Sequence, residues 1–248
     1  MIQIVFLILV LCNSALLAQD YYMEYTTTTL KQKDNIVGTN KIYYKAGNTR
    51  IESQMQSPVG KFETITLILA GNKKTVYNLN PASKTYMEVS IAASSQYKDY
   101  SEKDYEITVI GNEKVNGYNA THAKIRLKDK KYEMDVWVTK DIKLYSELVN
   151  IKTGYNQPAL YKALQEKGIE GMAVRMQVVE RGEGVQLDLI KAEKQNHPSH
   201  LFSLDGYSKS VSLDFSNPEN MIKQLQNMTP DQQRQFEEHL KNLYDPKN

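Results

Sequence analysis

Cysteine is almost missing from this chain. Its 248 residues hold one, Cys12, and that one lies in the N-terminal segment. A body without thiols excludes disulfide staples, cysteine nucleophiles and cysteine-ligated metals together. Leu11 precedes Cys12 where a lipid-acceptor cysteine needs a small neighbour, so lipidation is not read here. Charge of one sign is also lacking, with 31 Lys and Arg against 29 Asp and Glu spread along the whole length. No basic stripe points to nucleic acid, and no acidic tail points to a solvating segment. Long apolar runs are missing too. The longest, residues 4–11, falls far short of the ~20 residues that span a bilayer.

Motifs that carry catalysis are equally scarce. No GxSxG elbow presents a serine nucleophile, no HExxH sets out a zinc site, and "RGEGV" (181–185) reads as a turn, not a phosphate cradle. "HPSH" (197–200) places two histidines near each other, but Pro198 keeps them off one helical turn, so a polar loop is expected there. His122 falls in or beside the polar phase of a strand and reads as a surface residue. Glu133 and Asp135 share one strand face, as a glycosidase pair would. Neighbouring Lys130, Lys131 and Lys140 make a solvated mixed-charge face the simpler reading. "NAT" (119–121) and "NMT" (227–229) match glycosylation acceptors and are taken as coincidental.

What is present begins with "MIQIVFLILVLCNSALLAQ", a short apolar core followed by small and polar residues. It reads as a secretory signal peptide over residues 1–18, cleaved after Ala18, with an uncleaved N-terminal anchor as the alternative. Tyrosine is unusually common, 17 against five Phe and one Trp. A ring with a polar tip suits strands that are only partly covered.

From about residue 20 to 209 the pattern is strands and turns. "YYMEYTTTTLKQ" (21–32) is one strand, 38–56 folds about Ala46-Gly47-Asn48, and 63–90 gives three strands broken at Gly71-Asn72 and Asn80-Pro81. Residues 104–128 form a hairpin about Asn116-Gly117, and 171–195 add two more strands. Roughly ten strands in meander order argue for one large sheet, which must twist and curl. Helices are few. "NQPALYKALQEKG" (156–168) has Asn156 as a cap and ends at Gly168. "TPDQQRQFEEHLKNL" (229–243) carries Phe236, Leu240 and Leu243 on one stripe. The expected organisation is a signal peptide (1–18), a curved antiparallel β domain (19–210) and a C-terminal helical appendage (211–248).

The strand "KKYEMDVWVTKDI" (130–142) sharpens the question of function. Tyr132, Met134, Val136 and Val138 share one face, whereas Trp137 stands on the other with Glu133 and Asp135. A large aromatic in a polar row implies cover by a helix or by a ligand. Tyr44, Tyr77, Tyr86, Met87, Met134, Trp137 and Met176 are the candidates for an apolar ligand-binding face, with Tyr43 beside them. Read more plainly, they are ordinary core beneath the helices.

"NKIYYKAGNTRIES" (40–53), "YNLNPASKTYMEV" (77–89), "GNEKVNGYNATHAKI" (111–125), "WVTKDI" (137–142) and "HLFSLDGYSK" (200–209) resemble a family of secreted domains of Bacteroidetes-type bacteria. That family is similar to the LolA/LolB lipoprotein-carrier fold, over roughly residues 38–208. The resemblance implies a mainly β, unclosed antiparallel barrel with a few covering helices, and no established catalytic residues. Where the family often has a cysteine two residues after Gly-Tyr, this chain has Ala120. The expected function is a periplasmic or secreted non-enzymatic binder of a lipid, a lipoprotein acyl chain or another apolar ligand, peripheral to a membrane at most. No cofactor, metal or nucleic acid is expected. The alternatives are an envelope protein-interaction module using the sheet edge or the C-terminal helices, and a hydrolase.

Overall fold

The computed structural model describes residues 20–30, 32–57, 60–90, 101–128, 132–142, 157–180, 183–210, 229–231 and 234. Twelve strands follow one another: β1 (Tyr21–Thr29), β2 (Gln32–Lys45), β3 (Asn48–Ser57), β4 (Gly60–Leu69), β5 (Asn72–Asn80), β6 (Thr85–Ser90), β7 (Tyr105–Val115), β8 (Tyr118–Leu127), β9 (Tyr132–Thr139), β10 (Met172–Glu180), β11 (Glu183–Lys194) and β12 (Ser208–Lys209). An α-helix, α1 (Gln157–Glu166), precedes β10. The first turn differs from the sequence expectation. The chain breaks at Leu30, and β2 starts at Gln32, where sequence places its start near residue 38.

All twelve strands form one unclosed curved sheet in the order β12-β6-β5-β4-β3-β2-β1-β11-β10-β9-β8-β7. Strands adjacent in the chain pair antiparallel at each step from β1 to β11 except between β6 and β7, and β11 returns to pair with β1. The sheet is therefore a meander barrel with one ladder missing. β12 lies parallel on β6 at Thr85 and Tyr86 and caps part of that edge.

Turn chemistry sets the register. Ala46 and Gly47 take φ of 47° and 82°, and Asn116 and Gly117 take 51° and 87°. Two successive positive φ values are the I′ geometry that matches strand twist. The Asn80 side chain accepts hydrogen bonds from the amides of Ala82 (2.9 Å) and Ser83 (3.2 Å), fixing the β5–β6 turn.

α1 ends as its sequence implies. Gly168 at φ 73° follows the last turn, Ile169 N donates to Leu164 O (3.0 Å), and Gly168 N donates to Gln165 O (2.8 Å). This Schellman geometry brings buried Ile169 against buried Leu164. With Tyr161, these residues join the main core, which runs from Ile68 and Val76 through Met23, Ile42 and Tyr44 to Met176, Val136 and Ile125. Asn156 and the stripe Phe236, Leu240 and Leu243 lie outside the described residues, as does the N-terminal leader.

Candidate functional site

Register assigns each strand residue to a face, because antiparallel partners share a face and neighbours in sequence alternate. The inner face carries Tyr21, Met23 and Tyr25 of β1, Tyr44 and Ile42 of β2, Ile51 of β3, Ile68 of β4 and Val76 of β5. It continues through Leu187 and Leu189 of β11, Met176 and Val178 of β10, Val136 and Met134 of β9, and Ala123 and Ile125 of β8. Its buried polar residues are uncharged. Asn40 accepts from Ser53 Oγ (2.7 Å), and Thr66 Oγ1 donates to Asn78 (3.2 Å). Among the described side chains, the only charges in register with this face are Lys114 and Lys194, both exposed near strand ends.

The ion pairs stand on the other face. Arg50–Glu52 (2.8 Å), Lys61–Glu63 (2.7 Å), Arg126–Glu133, Arg175–Asp188 (2.6 Å) and Lys209–Glu88 (2.6 Å) lie along it. Tyr22 and Tyr43 also stand there, rings 5.3 Å apart. Burial and a hydrogen bond to Glu24 hold the Tyr22 phenol well above its usual range. Burial and the Glu52 carboxylate push Tyr43 up to about 12.

Two small covers sit on this outer face. The first is the segment after β11. His197 is buried, its Nε2 2.8 Å from Tyr21 O. Arg50 donates to Leu201 O (3.1 Å), and Leu204 and Tyr207 pack on Ile65, Leu67, Tyr77, Leu79 and Tyr86. Thus "HPSH" belongs to a strap crossing the sheet from β11 to β6. The second cover lies over Trp137, which is 7% exposed. Its indole stacks on His122 (4.1 Å, 15° between planes), lies 5.8 Å from the Arg175 guanidinium, and donates from Nε1 to Glu113 (2.6 Å). His122 in turn stands between Asp135 (2.8 Å) and Glu113 (3.3 Å).

β-Bulges build this second cover. The β7–β8 ladder shifts register between Val109 and Gly111, leaving Ile110 as the extra residue, and a bulge bends its strand. The hairpin tip then reaches back across the sheet, where Asn116 Nδ2 donates to Val174 O (3.0 Å) and Asp188 (2.9 Å) on β10 and β11. Val174 is itself the extra residue of a β10 bulge, which leaves its carbonyl free for this contact.

The seven sequence candidates therefore do not form one surface. Tyr44, Met134 and Met176 lie on the inner face and are closed into the main core. Met87 shares that face but is only half-buried, near the missing ladder. Tyr77 and Tyr86 sit on the outer face with the strap, 6.0 Å apart. Trp137 is on the outer face as its phase in the strand requires, covered by a hairpin tip and polar neighbours. Sequence reasoning missed Glu113 and Arg175 as its partners, and Asn116 as the residue that ties the hairpin tip to β10 and β11, because they come from strands separated in the chain. It also missed the inner-face residues beside the gap, Val89 (43% exposed) on β6 and Ile107 and Val109 (46% exposed) on β7. Alternation within "YEITV" and "TYMEV" was the available signal.

The inner face is thus mostly apolar, with its described charges confined to Lys114 and Lys194 near strand ends, and the ion pairs stand on the outer face. The chain belongs to the family described as a domain of unknown function (DUF4412), whose model matches residues 23–206. No curated protein matches it. Among solved structures it is similar to an uncharacterized conserved protein from Thermus thermophilus (10% identity, TM-score 0.46, covering 78% of this chain and 91% of that one). It is also similar to the Mycobacterium tuberculosis lipoprotein LppX (10% identity, TM-score 0.39, covering 73% and 89%). A third is a putative outer membrane lipoprotein-sorting protein domain from Vibrio parahaemolyticus (14% identity, TM-score 0.30, covering 74% and 89%).

Proposed function

We propose that this chain is a non-enzymatic binding protein of the periplasm or the secreted space. It holds a lipid, a lipoprotein acyl chain or a similar apolar ligand against the inner face of its unclosed barrel. The observation that carries this reading is the segregation of charge. Ion pairs line the outer face, while the inner face offers aliphatic, Met and Tyr side chains with uncharged Asn, Ser and Thr among them. A face of that chemistry suits an uncharged chain and repels an ionised one.

The Thr49 hydroxyl, fully buried in the filled part of the inner face, has no hydrogen-bond partner among the described residues, at a cost of about 1–3 kcal/mol. The centre of the inner face is filled, so the ligand lies beside Met87 and Val89, where that face is open. The leader over residues 1–18 delivers the β domain (19–210), and the tail (211–248) is an appendage to it.

The test is native mass spectrometry of the purified protein, with titration of a fluorescent dodecanoyl ester. A bound lipid mass or saturable probe binding is expected, and Val89→Asp, a charge on the inner face, should abolish it. Ligand-free protein that also ignores the probe would overturn the reading.

A further inference from the structure

Across β4, β5 and β6 the inner face grades from apolar to polar, and register fixes the order. Val76 stands between Ile68 and Val89, Asn78 between Thr66 and Met87, and Asn80 opposite Thr85. Ile68 and Val76 are buried, Asn78, Asn80 and Met87 are half-buried, and Val89 is exposed. The protein orients both asparagines. Thr66 Oγ1 donates to Asn78 Oδ1 (3.2 Å), and the amides of Ala82 (2.9 Å) and Ser83 (3.2 Å) donate to Asn80 Oδ1. Each side-chain oxygen is thereby used, whereas each Nδ2 has no partner among the described residues. Two residues of strand, about 7 Å, separate the two amides. Among the described side chains no cation shares this part of the face, since Lys84 in the following turn lies over the Tyr207 ring.

Unspent donors beside an apolar floor, with no charge among them, select a ligand. A carboxylate or phosphate accepts from an amide but leaves water here with no cation to meet it, which costs more than one hydrogen bond returns. A bare alkyl chain covers Met87 and Val89 and leaves the amides unpaired. An ester carbonyl accepts a hydrogen bond and carries no charge. We propose, resting on the lipid reading above, that the ligand is an uncharged acyl ester whose carbonyl oxygen accepts from Asn78 Nδ2. Its acyl chain runs along Met87 and Val89, at the apolar end of the gradient. Its hydroxylated head points the other way, toward Asn80 and Thr85, where the Ser83 and Thr85 hydroxyls already share a hydrogen bond (2.7 Å). Thr66 acts through Asn78 as a positioning residue, because its hydroxyl turns the amide so that Nδ2 faces the ligand.

The test titrates the delipidated full chain, by calorimetry below micellar concentrations, with dodecanoylglycerol, dodecyl glyceryl ether and ionised dodecanoate. The first two share chain and head and differ in the carbonyl. The ester should bind about fivefold more tightly than the ether, and dodecanoate more weakly than either. Asn78→Leu should bring the ester down to the ether and leave the ether's affinity as it was. Asn78→Asp keeps the acceptor for Thr66 and removes both Nδ2 hydrogens, so it should bind the ester more weakly than the ether. The comparison within the unmodified chain needs no variant to fold. Equal affinity for ester and ether, tighter binding of dodecanoate, or an ester preference that survives Asn78→Leu would overturn the assignment and leave the lipid reading standing. Binding of none of the three would overturn the lipid reading itself, and this assignment with it.

Discussion

Replacing His122 with Ala removes one end of the Arg175–Trp137–His122 row and leaves the backbone ladder intact. Three contributions decide its size. The stacked pair, with centroids at 4.1 Å, contributes about 0.5–1.5 kcal/mol beyond buried area. The bond to Asp135, whose side chain is mostly shielded, contributes about 1 kcal/mol. The Glu113 contact at 3.3 Å involves a carboxylate that is half in water, so its contribution is close to zero. The sum is about 2 kcal/mol, which lowers the melting midpoint of a chain this size by roughly 4–8 °C. Circular dichroism measures the midpoint. Because Trp137 is the only tryptophan, emission reports its surroundings directly and should shift to the red. His122→Phe keeps a ring in the stack, so it should hold the emission maximum and lose about half as much stability as His122→Ala, about 1 kcal/mol. If His122→Ala moved neither the midpoint nor the emission, the stack would contribute nothing and the hairpin tip alone would cover Trp137.

Other positions give equally definite outcomes. At Gly171 φ is 132° and a Cβ would stand 2.0 Å from Thr139 O, so Gly171→Ala should cost at least about 2 kcal/mol in urea unfolding. Gly168→Ala, with open space around it, should cost only about 1 kcal/mol. Thr49→Val removes an orphan hydroxyl in a similar shape, so the unliganded protein should be unchanged or more stable by up to about 1 kcal/mol in the same assay. Tyr43 ionises near 12 when folded and near 10 when unfolded, so its neutral form favours the native state. That contribution is complete below about pH 10 and is lost as pH rises toward 12. Tyrosinate absorbance should show the late titration, and Tyr43→Phe should flatten that part of the alkaline stability profile.

Much of the fold was legible because its signals are local. Alternation in 132–139, the Asn116-Gly117 turn and the Gly168 helix end each depend on residues within one or two turns of chain. Glu133 and Asp135 read as part of a mixed-charge face, and the structure pairs them with Arg126, Lys124 and His122. The site was less legible for a physical reason. Which face a residue occupies depends on register summed across the sheet, and each bulge changes the phase by one. Tyr77 and Tyr86 look like Tyr44 in composition, yet they project the opposite way. The cover of Trp137 comes from Glu113, His122 and Arg175, brought together by β7, β8 and β10. No spacing in the sequence announces that meeting.

Ile110 sets the bend that brings the β7–β8 hairpin over Trp137. It is the extra residue of the β7 bulge and is largely exposed, so the hairpin gains little from its side chain. Deleting it leaves Val109 opposite Ala123 and Gly111 opposite His122, now as consecutive rungs of a regular ladder. Side chains on both sides keep their faces, so the deletion should fold. The bend is what disappears. A straighter hairpin carries Asn116 away from Val174 and Asp188 and uncovers Trp137. Emission should move to the red, and iodide should quench it more readily. An unchanged emission spectrum would show that the tip is held over Trp137 by something other than the bulge.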